Sequence, residues 1–526
     1  MGKRHILIGV AVLAAPLAVV APPPVSAAAR SLPVFTVRSA GLSQAQAAAL
    51  GRAFGLRNVD RSADGAVRFV SASGFLAVPT KAGPRGVDED GNATTAALLD
   101  LAALKRVRTL SPQVALARTA KALAGAKLVP AGGRAKASHT TVQTVDRRGR
   151  TTADVKIDTT VSYARTLAGL PYEGPGAKVR VGFDGKGAVT SLFYGTRSLA
   201  QTGTVPVLDA AGSLQRCARF MGTGVKVTSA TPYYFAAPLS TSLSRLEPSL
   251  RCAGVDAGGN ATQTVTLPAA VNATLPTMPA DPQPPRPRVA PQDRAYKRVD
   301  VGSEGTGVCS GLPNTKTNLA SFNNAFTSRN IAVEFSWSDS NAWEQDFKDP
   351  SKGGDDSNYA DHVDMTYWQG HGSPTGFSFS GCSSNDDAKL SHTDARWGNG
   401  DVEWMSLFTC LILEGTSGGK TWWQRWGPAF DGLHQINSFH TVSKHSSDHG
   451  VQYATYLLRS NPLPVRKAWA AASIDDQPSD VVWANMGVIG ANGSVNMNDY
   501  FWNKGPVGPD IPASAVTGYW YLRGSS

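Results

Sequence analysis

Tryptophan is missing from the first 300 of the chain's 526 residues; all 12 fall between Trp337 and Trp520. Charged side chains are scarce at 17%, a composition that excludes a coiled coil and a wholly disordered chain. Beyond the N-terminus no apolar run is long enough to span a bilayer. Cysteine is sparse too, and its count of five cannot pair completely within one chain. Glycine and proline are plentiful, at 53 and 33 residues, so the chain turns often. Its length is that of two or more domains.

Charge divides along the same line as tryptophan. Residues 1–300 carry a net charge of about +20 and the remainder about −9. The overall +11 is therefore a property of one half, and neither a nucleic-acid partner nor a membrane partner is expected from it. The start of the chain has Lys3 and Arg4, an apolar run over 6–20 and the small residues of 25–29. This pattern predicts a secretory signal peptide over 1–29 and a secreted, extracellular product with no membrane contact after its removal. Export permits disulfides, Cys217 with Cys252 and Cys309 with Cys382; Cys410 is then left free, or is a buried inert thiol.

Residues 34–38 read as a strand and 43–56 as an Ala-rich helix capped by Ser43. Alternating β-formers at 178–183 and 188–194 flank Asp184-Gly-Lys-Gly187 and predict a hairpin. Residues 267–298 form a Pro-rich linker ending in the basic stretch Arg294 to Arg298, open to a protease. Strands at 299–308, 331–337, 363–368 and 402–413 then alternate with helices at 316–328, 421–431, 450–459 and 465–472. That alternation implies crossovers, hence an α/β fold with a mostly parallel sheet covered on both faces.

Two strand endings carry chemistry. Residues 363–368 run into Gln369-Gly-His371-Gly372, and 402–408 run into Thr409-Cys410. Reactive groups collect beyond the carboxyl ends of strands in open α/β sheets. His371 is placed to take the proton of the Cys410 thiol, and the thiolate to attack a carbonyl. This pattern resembles the clan CD cysteine peptidases, which include caspases, legumain, clostripain and gingipains, over residues 298–490. The resemblance implies a caspase-like three-layer sandwich in 299–526, a Cys–His dyad, a peptide or protein substrate and no cofactor. The N–H groups of Gly372 and Cys410 would bind the oxyanion. Leu411 and Ile412 depart from the Arg-Gly that caspases place after the nucleophile, leaving open a strand that passes through Cys410 and buries it.

Over 155–200, Tyr163-Ala-Arg165, Gly169-Leu-Pro-Tyr172 and the hairpin resemble PepSY-like modules of secreted peptidases. That resemblance implies that residues 30–266 are an α+β pro-region or inhibitory domain, an intramolecular partner of a zymogen. A negative second half favours a basic residue before the cut.

Other readings compete. Gly415-Thr-Ser417-Gly-Gly419 fits the serine-hydrolase elbow and loosely a phosphate loop. His434, His440, His445 and His449 could hold a metal, although solvated loop histidines, with His434 in the core, are the simpler reading. The stretch from Asp339 to Asp364 could hold Ca²⁺ or be an exposed acidic loop. Trp422, Trp423 and Trp426 could present a glycan-binding face on a non-catalytic pseudo-peptidase or cell-surface protein.

Overall fold

The computed structural model describes residues 30–88, 91–279, 286, 299–379 and 387–526. The expected signal peptide, most of the expected linker with its basic stretch, and Cys382 lie outside the described residues.

In the second half the strands Ala332–Ser338, Asp300–Gly305, Met365–Gln369, Trp404–Phe408 and Gln435–Phe439 run parallel in that spatial order. Side chains alternate across a strand, and Trp404–Phe408 divides between two cores. Trp404 and Phe408 join one core with Trp469 and Tyr453 from the helices Val465–Asp476 and His449–Leu458, beside Thr315–Thr327. Met405 and Leu407 join the other, with Phe347, Trp397, Trp422 and Trp426. Burial on both faces explains why these strands are apolar throughout.

The fold is thus mixed α/β, but its sheet is only half parallel. Val482–Ile489, Gly518–Ser525, Thr141–Asp146 and Thr151–Lys156 extend it antiparallel to nine strands. Gly487, Gly518 and Gly524 interrupt the first two as β-forming runs, which hid them from the sequence reading.

The last two strands come from the first half. They join a chain whose own sheet is largely antiparallel and includes Ser31–Ala40, Thr159–Leu167, Ala177–Phe183 and Val189–Pro206. Ser43 caps the helix Gln44–Ala53 in a capping box with Gln46. The expected hairpin closes on Asp184, which accepts the N–H groups of Lys186 and Ala188, each at 2.9 Å. The disulfide Cys217–Cys252 ties the helix Ala210–Met221 to the strand Ser249–Asp256. Cys309 is also disulfide-bonded.

The halves differ in composition yet interlock. Phe75, Leu76, Leu104 and Val142 share one core with Val301, Trp404 and Trp520. Arg68 pairs with Asp475 at 2.6 Å. The buried Lys178 ammonium donates to the carbonyls of Ile474 and Gln477 at the end of the helix Val465–Asp476, where the unsatisfied carbonyls of a helix terminus attract a cation. No helix among the described residues is long and apolar enough to cross a membrane, and the disulfide is compatible with an oxidising, extracellular location.

Candidate active site

Met365–Gln369 and Trp404–Phe408 pair with Gln369 opposite Phe408. His371 and Cys410 therefore each lie two residues beyond a paired strand end, on the carboxyl edge of the parallel sheet. The second strand is shorter than the apolar run 402–413. The Thr409 N–H turns back to the Leu407 carbonyl at 2.9 Å, and Leu411 takes φ +64°. A left-handed leucine costs about 1–2 kcal/mol, and the Leu411 N–H bond to the Thr441 carbonyl at 3.2 Å helps to hold it. The chain bends at Cys410 rather than running straight through it.

Gly372 lies against that bend. A Cβ there would overlap the Thr409 hydroxyl and stand 3.0 Å from the Cys410 carbonyl oxygen, so the approach of the two loops requires glycine.

Both Cys410 and His371 are buried. Burial pushes the Cys410 thiol up to about 11. The Ser443 N–H donates to its Sγ at 3.3 Å, and the Ser443 hydroxyl lies 3.6 Å away. Burial lowers His371, so its imidazole is neutral. Nδ1 accepts the Gln263 N–H at 3.1 Å, which leaves Nε2 to carry the proton and donate to the Ser310 carbonyl at 2.8 Å. Both ring nitrogens are thus occupied by groups other than the Cys410 thiol.

The group that covers them belongs to the first half. Residues 260–264, between the strands Ser249–Asp256 and Val265–Pro268, lie across the two strand ends. The Ala261 carbonyl accepts the Gly372 N–H at 3.3 Å. Gln263 Nε2 donates to the Phe408 carbonyl at 2.9 Å and to Ser443 Oγ at 3.2 Å. The Thr264 N–H donates to the Ser443 carbonyl, and the His445 N–H to the Thr264 carbonyl, both at 3.0 Å. Two isolated bridges hold the segment, Ala261 to Gly372 antiparallel and Thr264 to Lys444 parallel.

Gln263 and Ser443 are the site residues that sequence reasoning missed, and His445 is one that it read as a solvated loop histidine. His445 is buried, not solvated: its Nε2 accepts the Asn314 N–H at 2.9 Å, and burial lowers it well below the ordinary histidine value. His449 is likewise buried, stacked 4.4 Å from Phe408, and burial lowers it to about 3. The polar stretch 443–448 gave no sign of this because its cover comes from the first half and from helices elsewhere in the chain. His434 is a core residue as read. Burial opposes its charge, but Asp499 at 2.7 Å and Asp510 at 2.9 Å outweigh burial and raise it to about 9.

The remaining candidates lie apart. Ser417 sits in a two-residue strand of a tight hairpin with Lys420–Thr421, closed by Gly418 and Gly419 at positive φ. The acidic stretch is folded in rather than exposed: Asp339, Asp346, Asp349, Asp356, Asp361 and Asp364 are buried. Asp361, for example, accepts the N–H groups of Gly398 at 2.7 Å and Gly400 at 2.9 Å. Among the described residues no group of three or more His, Cys, Asp or Glu side chains could hold a metal ion. Trp422 and Trp426 are buried, Trp422 stacking on Tyr521 at 4.9 Å and Trp426 on Trp397 at 6.0 Å.

A family model described as a domain of unknown function (DUF6345) matches residues 303–524. The match includes His371, Gly372 and Cys410 but not the covering segment. No curated protein matches the chain. Among solved structures, an uncharacterized protein from Eubacterium rectale ATCC 33656 is 12% identical with a TM-score of 0.26, over 47% of this chain and 87% of that one. The YpeB C-terminal domain of Bacillus megaterium is 11% identical with a TM-score of 0.16, over 44% of this chain and 94% of that one.

Proposed function

We propose that the second half is a cysteine-peptidase-like hydrolase on a caspase-like scaffold, and that residues 260–264 hold it latent. The observation that carries this reading is the register of Gln369 opposite Phe408, which brings His371-Gly372 and Cys410 to one sheet edge. Withdrawal of the covering segment frees His371 Nδ1 from the Gln263 N–H, and that nitrogen then accepts the Cys410 proton. The thiolate attacks the scissile carbonyl, and the N–H groups of Gly372 and Cys410 stabilise the oxyanion. The C–N bond breaks as the His371 imidazolium protonates the leaving amine, and water hydrolyses the thioester. The Ala261 carbonyl on the Gly372 N–H supports the reading, because a substrate oxyanion would take the same donor. The PepSY-like reading of the first half fits the same inhibitory role.

The test is turnover of a peptide library by wild type, Q263P, Q263P/C410A and Q263P/H371A. Proline removes the N–H that occupies His371. Q263P should cleave peptides, and both double variants should be inactive. Turnover that persists in Q263P/C410A would remove the dyad and make Ser417 the next residue to mutate.

A further inference from the structure

A second site lies in the second half, on the flank of the candidate dyad. It is occupied by Arg286, from the sequence Pro284-Pro285-Arg286-Pro287. The Arg286 side chain is 2% exposed. Its guanidinium lies 4.0 Å from the Tyr359 ring centre, 4.2 Å from that of Trp343 and 4.8 Å from that of Trp337. Nη1 and Nη2 donate to the two carboxylate oxygens of Asp346 at 2.6 and 2.9 Å, and Nη1 reaches the Asn341 carbonyl at 3.4 Å.

Among the described residues the walls of this cage all belong to the second half, and bonds within that half link them. Glu304 lies on the strand Asp300–Gly305, and its Oε1 accepts the Trp343 N–H at 2.6 Å. The Asp346 N–H bonds to the Trp343 carbonyl at 3.2 Å, and the Ala360 N–H to the Asp346 carbonyl at 3.1 Å. Burial and the Asp346 charge push Glu304 well above the carboxylate range. Burial raises Asp346 to about 6 against the opposing bonds of Arg286, so at neutral pH it keeps its charge.

The geometry selects a planar cation. A carboxylate fork and three ring faces match a guanidinium, whereas an ammonium makes neither the bidentate pair nor the stacking. The cage also adjoins the dyad through one loop. The strand that carries Glu304 leads into Gly307, whose N–H donates to Asp339 at 2.9 Å, and on to Ser310, whose carbonyl holds His371.

We infer that Trp337, Trp343, Tyr359 and Asp346 form a recognition pocket for the arginine side chain of a peptide substrate, filled in this chain by its own Arg286. The inference rests on the peptidase-like reading of the neighbouring dyad. In the Arg286-Pro287 pair the nitrogen after arginine is a tertiary amide, so the occupant is a peptide arginine on a segment unlike an ordinary scissile one. Because Arg286 is tethered, its effective concentration at the cage is in the range of about a millimolar, and free arginine peptides compete poorly until it is removed.

The test uses the full-length chain with Cys410→Ala, with and without R286A, titrated calorimetrically with Nα-acetyl-arginine amide. R286A should bind the probe at least about tenfold more tightly than the Arg286 protein, the gain expected from removing a tethered competitor. The citrulline and lysine analogues should bind at least about tenfold more weakly than arginine, and D346N should abolish binding. Folded R286A that binds no arginine probe, or binds citrulline equally, overturns the pocket. Should R286A fold poorly, recovery of folded protein with the arginine amide but not with citrulline supports the pocket, and failure of that rescue overturns it. Binding needs no nucleophile, so the two readings fail separately. Arginine binding without hydrolysis by Q263P/R286A removes the peptidase and leaves the pocket; hydrolysis without arginine preference removes the pocket and leaves the dyad.

Discussion

The backbone N–H of Gln263 donates to Nδ1 of His371 at 3.1 Å, so a residue of the first half holds the nitrogen that would accept the Cys410 proton. The same segment bonds Ser443, the hydrogen-bond partner of Cys410, which is fully buried and whose thiol burial pushes up to about 11. Iodoacetamide should therefore label Cys410 slowly in the native protein near neutral pH. Q263P should raise that rate about tenfold or more, the equivalent of the 1–1.5 kcal/mol of a lost hydrogen bond. Equal labelling of wild type and Q263P, read by mass mapping of the Cys410 peptide, would show that the segment is not what shields the thiol.

The buried histidines should withdraw stability as the pH falls. Burial lowers His371, His445 and His449, the last to about 3. In the unfolded chain such a group takes a proton near pH 6.5. The unfolded state then binds more protons, so stability present above that pH is lost as the pH falls toward 3. His449 alone should remove about 2 kcal/mol by about pH 5. Buried carboxyls such as Asp361, raised to about 7, act in the opposite sense, so the loss is read as the difference between wild type and His449→Phe in the change of urea midpoint from about pH 7.5 to about pH 5. The same pH shift in both proteins would contradict the assignment.

Replacing Cys217 and Cys252 by alanine should cost about 4 kcal/mol, the loop-closure entropy for a bridge of this separation, which is 35 residues here. Peptide mapping without reduction should recover Cys217 joined to Cys252. A bridge from Cys410 to either of them would remove both this pairing and the nucleophile.

Residues 299–526 expressed alone should aggregate. Without the hairpin Thr141–Lys156 the strand Gly518–Ser525 becomes a bare sheet edge, and Phe75, Leu76 and Leu104 leave a shared core. Co-expression with residues 30–279 should restore soluble protein. A stable, monodisperse fragment would mean that the first half only adds to a complete domain.

The sequence by itself determined the local elements and the two strand endings. Met365–Gln369 and Trp404–Phe408 are apolar runs that end in residues with chemistry, and both periodicity and ending are local signals. The same holds for the Ser43 cap and the Asp184 turn, where a side chain bonds backbone two to four residues away. Tertiary structure decided what covers the site. Gln263 acts on a histidine 108 residues away, and nothing near it in the chain distinguishes it from a surface glutamine. His445 and His449 sit in a stretch polar enough to read as solvated, yet are buried by partners from other elements. The composition boundary near residue 300 is real as chemistry but not as packing. Strand pairing and apolar contact depend on which surfaces meet in space, and here the first half supplies two strands, part of a core and the cover of the candidate dyad.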